Sequence, residues 1–103
     1  FDWNNPQGAL DKVMEEYKEL QVELEAGDSE KAEAELGDLL FSIINVARMY
    51  KIHPDNALEK TNRKFMRRFN YVEEKAIEQG KNLKDMTLEE MDALWNEAKR
   101  NNL

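Results

Sequence analysis

The chain has 103 residues and a formal net charge of −7, with 41% hydrophobic and 36% charged residues. It has no cysteine and a single histidine, His53, which excludes disulfides, thiolate zinc sites, cysteine nucleophiles and sites built from several histidines. No apolar run approaches the roughly 18 residues of a membrane span, and the negative charge disfavours binding to nucleic acid. We therefore expect a soluble cytoplasmic protein in which residues 1–103 form a single domain.

The first half of the chain predicts two helices after a short lead-in arm. Residues 1–8 show no hydrophobic period and are assigned to the arm, and the helix that follows is predicted to end at Gly27. Its apolar residues recur at three- and four-residue spacing, at Leu10, Val13, Tyr17, Leu20 and Leu24. Asp28 can cap a second helix that runs to about Lys51. Because the middle of this second helix, LLFSIINVA, is apolar almost all round, we expect it to be the most buried helix.

The second half predicts two further helices, one from Pro54 to Gly80 and one that begins with a capping box of Thr87 and Glu90. The core side of the third helix is predicted to comprise Leu58, Thr61, Phe65, Phe69, Val72 and Ala76. The inner face of the fourth helix is predicted to comprise Leu88, Met91, Trp95 and Ala98. Four helices with short connections indicate an all-α fold resembling a four-helix bundle.

The second helix carries a polar strip within its apolar segment. Glu35 and Asp38 lie three residues apart and therefore share a face, which Ser42 and Asn45 continue. A solvated surface does not account for this strip, because the opposite side is wholly apolar, and buried carboxylates need cations or hydrogen-bond donors as partners. Gly37 costs about 1 kcal/mol relative to Ala in a helix interior, which indicates close approach of another helix or a ligand, or a packing role.

The first helix carries three more acids, Glu15, Glu16 and Glu19. Glu16 and Glu19 flank its apolar stripe while Glu15 lies further out, and for this helix alone a solvated face is the favoured interpretation. If the first two helices are antiparallel, two carboxylates from each form one cluster. Oxygen donors without nitrogen favour hard cations, so Mg²⁺ or Mn²⁺ is expected rather than zinc or copper.

The third helix concentrates positive charge in an otherwise acidic chain. Its cations are Lys60, Arg63, Lys64, Arg67 and Arg68. Lys64 and Arg68 border the apolar face, whereas the other three point away from it, as surface charges do. Cations beside a metal–carboxylate cluster suit a polyphosphate, so Lys64 and Arg68 are predicted to contact phosphate.

These segments, taken in order, resemble the MazG family of nucleoside triphosphate pyrophosphohydrolases, part of the all-α NTP pyrophosphatase group that includes dimeric dUTPases. The resemblance rests on LDKVMEEYKEL, EAELGDLLFSIINVAR, ALEKTNRKFMRRFNYVE and LWNEAKR, with FDW in the arm. The family's metal motif, ExxE followed by ExxD, falls on Glu16, Glu19, Glu35 and Asp38, and Glu15 completes its EExxE form. The chain looks most like the catalytic C-terminal domain of tandem-domain members, which agrees with a start at Phe1 rather than Met.

The resemblance implies Mg²⁺-dependent hydrolysis of NTPs or dNTPs to the monophosphate and pyrophosphate, carried out by a homodimer. The four motif carboxylates would be metal ligands, either Glu15 or Glu16 could be the general base, and Lys64 and Arg68 would stabilise the leaving pyrophosphate. The nucleotide-contacting positions of the family fall on Lys64, Arg68, Trp95, Lys99 and, as a weaker correspondence, Asn62. The broad apolar surface of the second helix independently favours a dimer.

Two alternatives stay open at this stage. A narrower dUTP or dCTP hydrolase would use the same scaffold, because no pattern in the sequence predicts recognition of a base edge. A non-catalytic helical dimerisation module would use its acids only to hold a structural ion. Mg²⁺-dependent release of pyrophosphate would separate an enzyme from such a module.

Overall fold

A computed structural model describes residues 5–103 of the chain. They form four α-helices and a short 3-10 helix, and the described residues contain no strand. The helices are α1 (Pro6–Ala26), α2 (Ser29–Met49), α3 (Pro54–Glu78), the 3-10 helix (Leu83–Asp85) and α4 (Leu88–Arg100). The predicted all-α class is confirmed. Completion of the helical bundle by homodimerisation stays a prediction. No helix within residues 5–103 combines the length and the apolar character needed to cross a membrane.

The helix starts follow local capping chemistry. Asn5 caps α1 by accepting a hydrogen bond from the Gly8 amide, and Pro6 takes the first helical turn, where its missing N–H costs nothing. The predicted arm over residues 1–8 is therefore wrong from Pro6 onward, and residues 1–4, with the FDW segment, lie outside the described residues. Asp28 caps α2 as predicted. The predicted capping box of α4 is also confirmed.

All four helices end in the same way, with a residue in the left-handed region that donates its N–H three residues back. The next residue donates five residues back, which is the Schellman arrangement. The left-handed residues are Gly27, Lys51, Gly80 and Asn102, with φ of 75°, 58°, 70° and 62°. Glycine and asparagine adopt this conformation readily, whereas Lys51 carries a Cβ that is crowded there. Helix α2 accordingly ends at Met49, slightly before the predicted limit.

The chain divides into two compact units, Phe1–Asp55 and Asn56–Leu103. In the first unit, α1 and α2 pack against each other as a helical hairpin. The buried line of α1 runs through Ala9, Val13, Glu16 and Leu20 rather than along the whole predicted stripe. The face of α1 that contains Glu16 packs against α2. The rest of the predicted stripe is therefore exposed, at Leu10, Tyr17 and Leu24.

The expectation that α2 is the most buried helix is wrong. Its buried residues are Ala32, Ser42 and Asn45, whereas Phe41 is 65% exposed. The other large apolar side chains exposed on α2 are Leu36, Leu40, Ile43 and Ile44. The polar strip therefore faces α1, and the apolar side of α2 is left uncovered. A Cβ at Gly37 would meet nothing within 4 Å, so no close approach within the described chain requires this glycine.

The second unit has its core at the end of α3, the 3-10 helix and α4. Val72, Ala76, Met86 and Leu94 are buried together, with Leu83, Met91 and Trp95 packed against them. The predicted core side of α3 is correct at Val72 and Ala76. It is wrong at the four earlier positions, which are exposed: Leu58, Thr61, Phe65 and Phe69. On α4, the predicted inner face is correct at Met91, Trp95 and Ala98. Leu88 is exposed instead, and Leu94 is a core residue that was not predicted.

Replacing Lys51 by glycine is expected to stabilise the protein by about 1 kcal/mol. Glycine removes the steric cost of a left-handed residue and keeps both hydrogen bonds at the end of α2, although it also makes the unfolded chain more flexible. Urea denaturation of Lys51→Gly, with Lys51→Ala as the control that retains a Cβ, measures the effect. A lower midpoint for Lys51→Gly than for Lys51→Ala would contradict this account.

Candidate functional site

The α1–α2 hairpin brings carboxylates from both helices together. One oxygen each of Glu16, Glu35 and Asp38 lies within 4.8 Å of the others, a spacing at which the group could hold a metal ion. We call these three residues the carboxylate cluster. Glu16 is buried at 6% exposure, Glu35 is half-buried and Asp38 is exposed, so the cluster opens toward solvent on the Asp38 side. The predicted meeting of the two acidic motifs is therefore present for these three positions.

Two oxygens of the cluster are buried and have no hydrogen-bond partner within residues 5–103: Glu16 Oε2 and Glu35 Oε2. An unsatisfied buried carboxylate oxygen is costly, and native proteins rarely keep one without a functional reason. An oxygen-only donor set of three carboxylates matches the preference of hard divalent cations. These residues fit a divalent ion of that kind.

Glu19, the fourth motif acid, is exposed, and it is not one of the three residues whose carboxylate oxygens lie within 4.8 Å of one another. It still lies within electrostatic reach, because the charge of Glu16, reinforced by Glu35, raises the pKa of the Glu19 carboxyl. The repulsion shows that the acids of the two helices crowd one another. A shared cation would relieve that repulsion.

Glu15 is exposed, as the wheel position predicted, and the solvated interpretation made for helix one holds for this residue. The same interpretation is wrong for Glu16, which α2 covers. Lys12 contacts both acids: its Nζ lies 3.1 Å from Glu16 Oε1 and 3.4 Å from Glu15 Oε1. Sequence reasoning missed Lys12, although its spacing of four residues from Glu16 is a signal for such a pair.

The rest of the polar strip on α2 is buried and partly satisfied. Ser42 Oγ donates to the Leu39 carbonyl at 2.7 Å, and Arg48 donates to Asn45 Oδ1 at 2.8 and 3.2 Å. The Asn45 Nδ2 group is buried and meets no acceptor among the residues that the structure describes. The strip is thus a continuous polar line from Glu35 to Asn45 that faces the hairpin interior.

In the second unit, the predicted nucleotide-contacting residues divide into two groups. Arg68 is half-buried, with its guanidinium 5.5 Å from the centre of the Trp95 ring and its Nε donating to the Leu103 carbonyl. Lys64, Asn62 and Lys99 are exposed. Arg68 and Trp95 therefore lie together, which their separate helical spacings did not indicate.

The aromatic surroundings of this pair were also not predicted. Phe65 lies 5.4 Å from Trp95 and 6.0 Å from Phe69, measured between ring centroids, and both phenylalanines are exposed. Arg63, predicted to point away from the apolar face, is exposed and pairs with Glu59 on the same helix. Arg63 is thus a surface charge, as expected.

The family model of the MazG nucleotide pyrophosphohydrolase domain matches residues 4–73, a range that holds all four motif acids together with Lys64 and Arg68. The chain belongs to this family. The match covers α1, α2 and most of α3, which are the elements that carry the acidic and basic motifs.

Three relatives align with most of this MazG-family chain. The uncharacterized protein YabN of Bacillus subtilis is 59% identical over 75 residues, which are 73% of this chain and 15% of that protein. The nucleoside triphosphate pyrophosphohydrolase/pyrophosphatase MazG of Thermotoga maritima is 43% identical over 99 residues, covering 96% of this chain and 38% of its own length. The nucleoside triphosphate pyrophosphohydrolase of Escherichia coli K12 is 39% identical over 102 residues, covering 97% and 39%. The chain spans less than two fifths of these relatives.

Crowding of the acids predicts a specific pH dependence. Glu19 has a raised pKa in the folded state, so the native protein binds more protons than the unfolded chain between the ordinary value of 4.5 and the raised one. Stability should fall as the pH rises through that window, and Glu19→Gln should remove this loss. Urea denaturation in EDTA should show Glu19→Gln to be more stable than the parent at pH 7, with the difference disappearing below pH 4.5.

The control for this experiment is Glu25→Gln, which removes one exposed carboxylate from the same helix away from the cluster. It reports the effect of net charge alone. Equal stabilisation by both variants at pH 7 would show that Glu19 does not feel the cluster specifically.

Proposed function

We propose that this chain hydrolyses nucleoside triphosphates, NTPs or dNTPs, to the nucleoside monophosphate and pyrophosphate in a Mg²⁺-dependent reaction, with Mn²⁺ as a possible substitute. The observation that carries the proposal is the carboxylate cluster, two of whose buried oxygens meet no hydrogen-bond donor from residues 5–103. Membership in the MazG family supports it, as do the activities in the names of the Thermotoga and Escherichia relatives.

The metal ligands in this proposal are Glu16, Glu19, Glu35 and Asp38. Mg²⁺ bound there would neutralise the phosphates and lower the pKa of a coordinated water. Either Glu15 or Glu16 would accept the proton from the attacking water; Glu16 lies in the carboxylate cluster, whereas Glu15 is exposed and outside it. Glu35 and Asp38 would hold the ion from α2.

The substrate contacts in this proposal come from α3 and α4. Lys64 and Arg68 carry the positive charge that would stabilise the leaving pyrophosphate, because charge-assisted hydrogen bonds to phosphate are strong. Trp95, Lys99 and Asn62 are assigned to the rest of the nucleotide by the family resemblance. The contact of Arg68 with Trp95 supports a joint role for these two residues.

The same proposal includes a cytoplasmic homodimer. The support is the exposed apolar side of α2, since a monomer gains nothing from leaving five large apolar side chains in water. Such a surface is typical of a helix that another subunit covers. Sedimentation of the purified chain over a range of concentrations tests this part.

The deciding experiment identifies products from the eight common NTPs and dNTPs with and without Mg²⁺. Release of pyrophosphate and monophosphate from several of them supports the broad enzyme, whereas activity confined to dUTP or dCTP supports the narrower hydrolase. No pyrophosphate from any nucleotide would favour the non-catalytic dimerisation module. EDTA should abolish the activity.

Substitution of the α2 ligands should remove the activity while leaving the fold intact. Glu35→Gln and Asp38→Asn are each expected to lower kcat by two orders of magnitude or more, because a neutral amide oxygen binds a divalent cation more weakly than a carboxylate does. Glu33→Gln, an exposed acid on the same helix, is the matched control. Pyrophosphate release and circular dichroism measure the two properties. Near-normal turnover of Asp38→Asn would contradict its assignment as a ligand.

The basic residues of α3 should differ among themselves. Lys64→Ala and Arg68→Ala are expected to lower kcat/KM by roughly 10²-fold, about 3 kcal/mol of transition-state stabilisation. Arg63→Ala should change it little, because an exposed ion pair contributes weakly. Kinetics on the three variants, with folding checked because Arg68 also packs on Trp95, decide the point. Equal losses in all three would indicate a diffuse electrostatic effect.

A further inference from the structure

Glu16 is a buried charge, and it has one visible counter-charge within the described chain. Its side chain is 8% exposed, and Lys12 Nζ lies 3.1 Å from its Oε1 atom. A carboxylate at this depth is strongly destabilising unless a cation or donors compensate it. Lys12 lies one helical turn before Glu16 on α1, so the helix itself holds the ammonium beside the carboxylate.

The two oxygens of Glu16 have different surroundings. Oε1 contacts Lys12, whereas Oε2 has no hydrogen-bond partner in the described part of the chain. One Glu16 oxygen lies within 4.8 Å of both Glu35 and Asp38 oxygens. A divalent ion at the carboxylate cluster would neutralise the same carboxylate that Lys12 neutralises without it. The two cations therefore compete for Glu16, since like charges repel at such distances.

We propose that the Lys12 ammonium compensates the buried Glu16 carboxylate when no divalent ion is bound. A divalent ion that binds the carboxylate cluster then displaces the ammonium from Glu16. This inference rests on the metal site of the proposed function. Lys12 is thus a positioning residue, because it acts through Glu16. Its role is to stabilise the hairpin before the ion is bound, at the expense of some metal affinity.

The surroundings of Lys12 give the displaced ammonium a place to go. Glu15 Oε1 lies 3.4 Å from the same Nζ, and the Glu15 side chain is 57% exposed and outside the carboxylate cluster. The Lys12 side chain is 34% exposed, so its head can move from Glu16 toward Glu15 and solvent without unpacking the helix. A lysine suits this exchange because its ammonium is a compact charge on a flexible stem.

The test compares Lys12→Met with Lys18→Met, which removes an equal charge from an exposed position on the same helix. Methionine keeps an unbranched stem of similar length and loses the charge. In EDTA, Lys12→Met should melt roughly 4–8 °C below the parent, because the buried Glu16 carboxylate loses its counter-charge. Lys12→Arg should retain most of the stability, and Lys18→Met should resemble the parent.

Calorimetric titration with MnCl₂ alone, without nucleotide, measures the second half of the proposal. Loss of the competing charge should make Mn²⁺ bind roughly tenfold more tightly to Lys12→Met than to the parent, while Lys18→Met changes the affinity much less. If Lys12→Met is unfolded in EDTA while Lys12→Arg and Lys18→Met stay folded, the stabilising role of the Lys12 charge is supported, and the Mn²⁺ affinity is then compared on Lys12→Gln.

Three outcomes would overturn the inference. Equal melting temperatures of Lys12→Met and Lys18→Met in EDTA would show that Lys12 does not stabilise the metal-free site. Weaker Mn²⁺ binding by Lys12→Met would show that Lys12 prepares the site for the ion rather than competing with it. Absence of Mn²⁺ binding by the parent would overturn the metal site of the proposed function. Titration of the parent alone gives this result, so it is distinguishable from the outcomes that concern Lys12.

Discussion

The burial of the Glu16 carboxylate between α1 and α2 is the constraint on which the hairpin depends. At 6% exposure this group must be compensated, and its neighbours across the interface are two more acids rather than donors. Hydrophobic packing alone would have placed an apolar residue there, at lower cost in free energy. Such a group of carboxylates suits a bound cation, and without one their mutual repulsion lowers the stability of the hairpin.

This constraint also explains the orientation of α2. The polar strip from Glu35 to Asn45 and the apolar side with Phe41 lie on different faces of the same helix, so only one of them can meet α1. Because the strip meets α1, the apolar side must face outward. The exposed surface that favours a homodimer and the acidic site are thus two consequences of one rotation of the helix.

The second unit combines charge with aromatic surface. Arg68 lies over Trp95, and Phe65 and Phe69 extend the ring surface along α3. A guanidinium held against an indole keeps its charge while losing little conformational freedom, which suits a residue that must meet phosphate in a fixed orientation. Lys64 lacks such a contact and stays exposed, so the two proposed phosphate ligands differ in how firmly they are held.

Local sequence chemistry determined where the helices begin and end at most positions. Asp28 and Thr87 cap helices, and Gly27 and Gly80 stop them, because these effects depend on a few neighbouring residues. Lys51 carries no such signal, because lysine rarely adopts left-handed backbone angles and its presence does not predict the end of a helix. The spacing of the acids likewise determined that Glu35 and Asp38 share a face.

The tertiary structure decided which faces are covered. Helical periodicity places Leu10, Tyr17 and Glu16 around α1, but burial depends on the helix that packs against them, and α2 covers the acidic flank. Phe41 is exposed because α1 packs on the polar side of α2. Lys12 differs from other surface lysines only because packing of α2 on α1 buries Glu16 beside it. The sequence thus determined the helices and the acids, and the pairing of the helices turned those acids into a candidate metal site.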